Sequence, residues 1–424
     1  MTAIVGIINR QGVVFAADSA ATVTLSSTHK ISNHANKIFE LSKYQPVGVA
    51  LCGNMDFSLL PWEQIIKMYR MHLSGSSFAT LYEYTEDFFS FVKGVLPDLH
   101  DTIEAQLSKF VDAFYNEVYS TVKDKLELQG DIGLDEEMVK AFHEVVLSLG
   151  NSYKDESPCD DCLNLTLEEF THLIENIVTA KLSSCLANPY CPTCLKDNFT
   201  KSLFYIIRSK YHIYSTQTVL VFFGYGKDEL FPSYYSFSIS ELFGVRVKIT
   251  PKSNYVVSRE NHACIEPFAQ TDVAQTVVKG IDDKLRLVFY KSTEDLLKKL
   301  QNEIINKVQE SGGPKSLIDV LSAIDIEAIS KAYKDDMELY IWNNYISKLI
   351  DVVKFLSKED MADMAESLVK MTGLKRRVTT DEESVGGPVD VAVITKGDGF
   401  VWIKRKHYFS SELNPNYFQR TQLD

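Results

Sequence analysis

Two kinds of residue in this sequence have types and spacing that suit chemistry, and the first is a threonine. Thr2 is a small hydroxyl residue directly behind Met1, and an apolar run, AIVGII, follows it. A buried strand needs no hydroxyl at its tip, so Thr2 is a candidate reactive group. Aminopeptidases remove an initiator Met when the next side chain is small, so Thr2 also suits exposure as a new amino terminus.

The second kind is cysteine. The segments CDDC and CPTC form two C-x-x-C pairs, and Cys185 lies between them. In a reducing compartment, four thiolates at such spacing favour a structural zinc site with Cys159, Cys162, Cys191 and Cys194 as ligands. Four Cys ligands leave no open position, so this zinc would stabilise the fold and not catalyse. Two small disulfides or free thiols remain open as alternatives.

The composition indicates a folded protein and excludes some functions. The chain has 424 residues, 45% of them hydrophobic and 24% charged, as in globular proteins. Its 44 basic and 57 acidic residues give a net charge of −13, which argues against sequence-independent nucleic-acid binding. No apolar run approaches the roughly 18 residues of a membrane span, and no signal-peptide pattern is present. We therefore expect a cytoplasmic protein that binds neither nucleic acid nor membrane.

The hydrophobic patterns alternate between sheet and helix along the chain. Short apolar or alternating runs predict strands within 2–58, 217–250 and 389–403, and NRQG predicts a turn between the first two strands. Apolar residues at three- and four-residue steps predict helices in the intervening segments, above all over 103–210 and 284–355. Ser292, followed by Asp295, is the predicted N-terminal cap of the helix in STEDLLKKLQNEIINKVQ. This order predicts an α+β fold in which helices cover a sheet sandwich and the two long helical stretches are insertions.

Four segments of the chain carry a family resemblance. They are MTAIVGIINRQGVVFAADSAAT, NKIFEL, VALCGNMD and DEESVGGPVDVAVITKGDGFVWI. In these segments the sequence resembles proteasome β-type subunits, most closely the simple bacterial forms such as the HslV peptidase. Those proteins are N-terminal nucleophile (Ntn) hydrolases, so the resemblance implies a four-layer α-β-β-α sandwich.

The resemblance also implies a domain organisation. The proteasome-like domain would span 1–406 discontinuously, with two helical insertions and a tail. Its parts are 1–102, 200–283 and 357–406; the insertions are 103–199, which holds the C-x-x-C pairs, and 284–356; the tail is 407–424.

In the family, the nucleophile is the threonine at the mature amino terminus, here Thr2 after loss of Met1. A hydroxyl needs an adjacent base, and a free α-amino group, with a reference pKa of about 7.7–8, supplies one within the same residue. A nearby ammonium lowers the pKa of that amine by like-charge repulsion. The family uses a lysine held by an aspartate, and the matching residues are Lys37 and Asp18.

The remaining site residues follow from the same resemblance. Gly53 matches the glycine that gives a backbone N–H to the oxyanion, and Asp381 and Ser384 match two polar residues around the amine. The substrate would contact three residues of the same segments, namely Ala21, Thr22 and Leu51.

Two positions depart from the family pattern. The arginine that usually follows the first aspartate by two residues is Ala20 here, and a serine usually found between glycines is missing. Gln270 or Thr271 is a candidate to replace the hydrogen bonds of that serine. These departures concern the strength of catalysis more than the fold.

The sequence therefore predicts a threonine-type hydrolase that cleaves peptide bonds through an acyl-enzyme and needs no cofactor for catalysis. The implied partners are a peptide or unfolded protein as substrate, further copies of the chain in a homo-oligomer, and an ATPase. Two alternatives remain open: a catalytically inactive scaffold of the same fold, and an amidase that acts on small amides.

Overall fold

The structure is a computed structural model that combines helices and antiparallel sheets, so the α+β class is confirmed. It describes residues 2–25, 28–58, 60–95, 103–126, 135–379, 385–407, 409, 412–414 and 416. The strands are β1 (Ile4–Asn9), β2 (Gly12–Ala17), β3 (Ala21–Leu25), β4 (Thr28–Ser32), β5 (Ile38–Glu40), β6 (Val47–Gly53), β7 (Asp56–Phe57), β8 (Leu60–Pro61), β9 (Thr218–Gly224), β10 (Ser233–Glu241), β11 (Val247–Val256), β12 (Ala263–Pro267), β13 (Asp390–Thr395) and β14 (Gly399–Lys404).

The helices lie mostly in the two segments where periodicity predicts them. They are α1 (Trp62–Leu73), α2 (Leu81–Val95), α3 (Ile103–Lys125), α4 (Glu136–Asn151), α5 (Leu167–Lys181), α6 (Ser183–Leu186), α7 (Leu195–Arg208), α8 (Asp272–Lys279), α9 (Asp283–Glu310), α10 (Lys315–Ser322), α11 (Ile326–Ile341), α12 (Ser347–Val353) and α13 (Lys358–Val378). Among the described residues, no helix is both long enough and apolar enough to cross a membrane.

The chain divides into two compact units. The first unit combines Met1–Ile38 with Val256–Asp424, and the second is Phe39–Tyr255. The four-layer arrangement of sheets and the domain boundaries given above stay predictions.

The first unit is built on a five-stranded antiparallel sheet in the order β12-β1-β2-β13-β14. Strands β1 and β2 form a hairpin in which Asn9 pairs with Gly12, so the turn predicted at NRQG is present. Alternate residues of the sheet, such as Val5 and Val14, pack with apolar residues of α13 in one buried cluster. The intervening residues, such as Phe15, are buried as well. Burial of both faces explains why these strands read as continuous apolar runs.

The second unit contains another five-stranded sheet, ordered β11-β10-β9-β6-β5, and two helix layers. Helices α1 and α2 pack with β6 and β9 in a cluster rich in aromatic residues. Trp62 fixes the start of α1, because its indole Nε1 donates to Thr218 Oγ1 at 2.9 Å. Helices α3 to α7 pack around a second hydrophobic core, to which Leu242 and Phe243 also belong.

Helices α9 to α12 cover the segment where a second helical insertion was predicted. The predicted N-terminal cap at Ser292 is wrong, because α9 begins earlier, at Asp283. The Asp282 carboxylate caps it by accepting hydrogen bonds from the amides of Lys284 (2.9 Å) and Leu285 (3.1 Å). A cap that satisfies free amides decides where a helix starts, whereas a polar residue inside the helix has no such role.

The connection from α13 to β13 needs a glycine. Gly387 has φ of +74°, a left-handed conformation that side chains with a Cβ rarely adopt. A Cβ there would lie 2.9 Å from the Asn33 carbonyl oxygen and 3.3 Å from Ser19 Cβ. The connection therefore packs closely against the segment after β2, where the amide of Ser19 donates to the Gly386 carbonyl at 3.0 Å.

We expect truncation of two methionines of α13 to change stability by very different amounts. Met361 is fully buried in the cluster with the sheet, whereas Met371 is 46% exposed. Met361→Ala should lower the free energy of unfolding by about 2–5 kcal/mol because it leaves a cavity. Met371→Ala should change it by less than about 0.5 kcal/mol. Urea denaturation measures both, and equal effects would contradict the packing of α13 on the sheet.

Gly387→Ala should lower the free energy of unfolding by about 1–3 kcal/mol, because alanine disfavours a positive φ and its Cβ would meet Asn33. The matched control is Gly397→Ala in the β13–β14 turn, where a Cβ meets nothing within 4 Å. That variant should be neutral or slightly more stable. Thermal unfolding of the two variants is the measurement, and a stable Gly387→Ala chain would contradict the described conformation.

Candidate active site

A buried ion pair lies at the centre of the first unit's polar residues. Lys37 Nζ donates to Asp18 Oδ1 at 2.6 Å, and their side chains are 0% and 1% exposed. Asp18 directly follows β2, and Lys37 directly precedes β5. A buried ion pair is tolerated only when its remaining hydrogen-bonding capacity is also satisfied.

Backbone amides complete the shell of the Asp18 carboxylate. Oδ1 also accepts from the Ala3 amide at 2.9 Å, while Oδ2 accepts from the amides of Ala20 and Gly386, each at 3.0 Å. The four donors come from well-separated parts of the chain, so Asp18 ties the chain start, the end of β2, Lys37 and the SVGGP segment together.

Thr2 is held beside this ion pair. It is 6% exposed, and its carbonyl accepts a hydrogen bond from the Gln270 amide at 3.0 Å. The Ala3 amide nitrogen and Lys37 Nζ donate to the same oxygen of Asp18. Lys37 Nζ therefore lies within two hydrogen-bond lengths of the peptide nitrogen that follows Thr2. The structure brings Thr2, Asp18 and Lys37 together.

The sequence suggested Gln270 as a replacement for the missing serine. Its backbone amide donates to the Thr2 carbonyl, and its side-chain Oε1 accepts a hydrogen bond from Arg376. Arg376 also pairs with Asp272 at 3.0 Å, which connects the Thr2 strand to α13 and to the first turn of α8. Thr271 occupies the N-cap position of α8.

Sequence reasoning missed three backbone donors to Asp18, those of Ala3, Ala20 and Gly386. An amide donor leaves no side-chain signature, so residue types alone do not reveal it. The one available signal was the Gly-Gly pair in SVGGP, which marks a close approach of two backbones.

A cavity of about 170 Å³ adjoins Asp18 within the first unit. Its walls come from the second half of α13, with Lys370 and Arg377, and from the backbone of the segment around Gly386 and Gly387. Drug-sized ligands need roughly 300 Å³ or more, so this cavity suits a single side chain. Lys370 is engaged by Glu366 at 2.7 Å.

The other predicted site residues fall into two groups. Gly53 and Leu51 belong to the second unit. Gly53 has φ of +92°, and a Cβ there would lie 2.5 Å from the Gln217 carbonyl oxygen; Leu51 is fully buried in the core with α1 and α2. Their roles with an oxyanion and a substrate stay predictions.

Ala21 begins β3 and is half-buried. Met1, Asp381, Ser384 and the Thr22 side chain lie outside the described residues. Removal of Met1 and the roles of these residues therefore stay predictions too.

The two C-x-x-C pairs have different surroundings. The neighbouring Cys162 thiol lowers the pKa of Cys159 to about 7, while Cys159 and burial raise the pKa of Cys162. Burial lowers the pKa of the neighbouring Lys248 to about 8, while the two thiols raise it. Cys194 Sγ instead lies 3.7 Å from His143 Nε2.

All seven cysteines are described and free of disulfides. Within the described part of the chain, no group of three or more His, Cys, Asp or Glu residues could hold a metal ion. The predicted zinc site at Cys159, Cys162, Cys191 and Cys194 stays a prediction.

No protein-family model matches the chain, and no curated relative does. Solved structures with some likeness include Anbu from Hyphomicrobium sp. strain MC1 and its Gly-1 mutant, both with a TM-score of 0.28. Anbu matches at 9% identity over 99% of this chain and 94% of its own, and the mutant at 8% over 100% and 96%. Anbu (ancestral beta-subunit) from Yersinia bercovieri has a TM-score of 0.26, at 9% identity over 99% and 94%.

The assignment to proteasome β-type subunits of the HslV kind is wrong, because the similar structures are Anbu proteins and no family model matches. At these TM-scores and identities, the likeness to Anbu has no bearing on activity. Any function has to be argued from the contacts of the chain itself.

Proposed function

We propose that this protein hydrolyses amide bonds of peptides, with Thr2 as an amino-terminal nucleophile. The observation that supports this most is the buried Lys37–Asp18 pair, whose carboxylate also binds the amide of Ala3, the residue next to Thr2. A buried lysine is costly for stability. Such a group beside a hydroxyl residue at a strand end is a candidate for a functional role.

The proposed reaction begins with removal of Met1, which frees the α-amino group of Thr2. In its neutral form the amine accepts the proton of the Thr2 hydroxyl while Oγ1 attacks the substrate carbonyl carbon. The resulting ammonium then gives its proton to the leaving amine, and an ester between Thr2 and the acyl half of the substrate remains. Water attacks this ester with the same amine as base, which releases the acid and restores Thr2.

Lys37 has an electrostatic role in this proposal. Its positive charge disfavours protonation of a nearby amine, so a larger share of the Thr2 amine is neutral and able to act as a base. Asp18 keeps the lysine buried and close through the 2.6 Å contact. The hydrogen bond from the Ala3 amide to the same oxygen keeps the chain segment at Thr2 close to the lysine.

Thr2→Ala should lower the rate of peptide-amide hydrolysis by roughly 10³-fold or more, because it removes the nucleophile. Thr2→Ser should keep measurable activity because it keeps the hydroxyl. Ala and Ser are both small, so removal of Met1 should proceed equally in all three chains. Intact mass, together with fluorogenic peptide amides and small amides as separate panels, provides the measurement.

A peptide carrying an electrophilic lactone should leave an adduct on the tryptic segment that ends at Arg10. Thr179→Ala is the control, because its hydroxyl only bonds the Glu175 carbonyl on the exposed face of α5. Retained Met1 with no hydrolysis in the wild-type chain would favour an inactive scaffold. Equal activity in wild type and Thr2→Ala would remove Thr2 from any mechanism.

The ion pair should show strong coupling in a double-mutant cycle. Lys37→Met and Asp18→Asn should each cost about 3–5 kcal/mol of folding free energy, because each strands a buried partner. The double variant should cost less than the sum of the two, yet all three chains should lose hydrolysis. Additive stability effects would contradict the described pair.

The matched control for this cycle is an exposed ion pair, Lys140 and Glu136 on α4, whose side chains are 63% and 49% exposed. Lys140→Met should leave the urea midpoint and the rate of hydrolysis unchanged, because solvent screens that pair.

A further inference from the structure

We propose that one face of α9 is a surface through which this chain pairs with a second copy of itself. The face carries a row of large apolar side chains, all of them exposed, which we call the α9 stripe. It consists of Leu285, Val288, Phe289, Leu296, Leu300 and Ile304. The proposal does not depend on the proposed hydrolysis, because none of these residues belongs to the candidate active site.

The other side of α9 is the one that contacts the neighbouring helices. The Tyr290 hydroxyl donates to Glu338 Oε1 on α11 at 3.0 Å, and Gln301 Nε2 donates to the Leu321 carbonyl of α10 at 2.7 Å. Tyr290 and Gln301 are eleven residues apart, which is about three helical turns, so they lie on one side of the helix. The α9 stripe therefore faces away from α10 and α11.

The exposure of α9 is unusual for a helix of a monomer. Of its 28 residues, Tyr290 alone is buried, while Leu296 is 65% and Leu300 50% exposed. A surface helix ordinarily turns its polar side to water, and an apolar patch larger than a few hundred Å² marks an interaction site. The α9 stripe is such a patch.

The area of the α9 stripe is close to what a stable dimer needs. A half-exposed large apolar side chain offers roughly 100 Å², so the six together offer about 600 Å². A standard interface buries roughly 800 Å² on each partner. The aliphatic stems of Lys299 and Lys307, which lie beside the stripe on the same helix, can supply much of the difference.

The spacing of the α9 stripe suits a second copy of the same helix. Leu285 and Phe289 precede the midpoint between residues 294 and 295 by the same distances at which Ile304 and Leu300 follow it. Two antiparallel copies related by a two-fold axis at this midpoint bring Leu285 opposite the partner's Ile304, and Phe289 opposite the partner's Leu300. A two-fold interface uses the same patch on both copies, and the two halves of this patch match each other.

The charge of α9 also favours a second copy. The helix has six basic and five acidic residues, a net charge of 6 − 5 = +1, whereas the whole chain has −13. Two acidic chains repel each other over most of their surfaces, and a nearly neutral helix is where they can approach. A strongly charged partner would gain little from this helix. Helices that bind membrane surfaces concentrate Lys and Arg on the polar face, which α9 does not.

Sedimentation equilibrium of the full-length chain over a range of concentrations tests the proposal. We expect the mass of the wild-type chain to rise from that of one copy to that of two. Leu300→Glu should raise the dissociation constant by at least about tenfold, because it places a carboxylate against the partner's Phe289. Its circular dichroism should be unchanged, because position 300 is exposed within one copy. Leu173→Glu, an exposed leucine of α5, is the matched control and should pair like the wild type.

Mixing two variants tests the antiparallel arrangement. Phe289→Lys and Leu300→Glu should each pair weakly alone, and an equimolar mixture should pair more tightly than either, because the lysine then faces the glutamate. A mixture of Phe289→Lys and Phe289→Glu is the control, since these positions meet only in a parallel pair. Tighter pairing in the control mixture, or in neither mixture, would overturn the proposal.

Three further outcomes would also overturn it. The first is a wild-type chain that stays monomeric at every concentration, which would leave the α9 stripe to another partner. The second is a Leu300→Glu chain with the same mass as the wild type at every concentration. The third is binding of wild-type monomers to phosphatidylcholine vesicles that Leu300→Glu abolishes, which would assign the stripe to a membrane surface.

Discussion

The first unit depends on one buried carboxylate. Asp18 receives hydrogen bonds from Ala3, Ala20, Lys37 and Gly386. The chain brings these groups together from its start, from the segment after the first hairpin, from the residue before β5 and from the connection before the last strand pair. Leaving any of these donors unpaired in the interior would cost free energy. The position of Thr2 therefore follows from the same interaction that closes the sheet around β1 and β13, and the site and the fold share one constraint.

The register of the sheet places Asp18 close to its hydrogen-bond donors. Strand β2 pairs with β1 on one side and β13 on the other, with Ala17 opposite both Ile4 and Asp390. Asp18, one residue beyond Ala17, thus emerges where the two neighbouring strands begin. A slip of one residue would exchange the two buried faces of β2 and would carry the carboxylate away from its donors. The packing of both faces that fixes the register of β2 therefore also fixes the ion pair.

The sequence predicted what short-range patterns and residue types encode. Apolar runs predicted strands, and three- and four-residue steps predicted helices. Thr2, Asp18 and Lys37 were grouped as one site by the resemblance of four segments to a known family and not by residue types. The sequence could not predict amide donors such as Gly386, because every residue but proline carries one and only the tertiary fold selects among them. The start of α9 was misplaced at Ser292 because Asp282, ten residues earlier, caps the helix, and a short polar pattern cannot rank two candidate caps.

The buried ammonium groups of Lys37 and Lys248 have different partners. Among the described residues, Lys37 and Lys248 are each 1% exposed. Lys37 faces the Asp18 carboxylate, which also accepts hydrogen bonds from three backbone amides. Lys248 donates to the Tyr211 carbonyl oxygen, and burial lowers its pKa to about 8. An opposite charge offsets more of the cost of burying an ammonium than a carbonyl dipole does, and the first unit places that opposite charge beside Thr2.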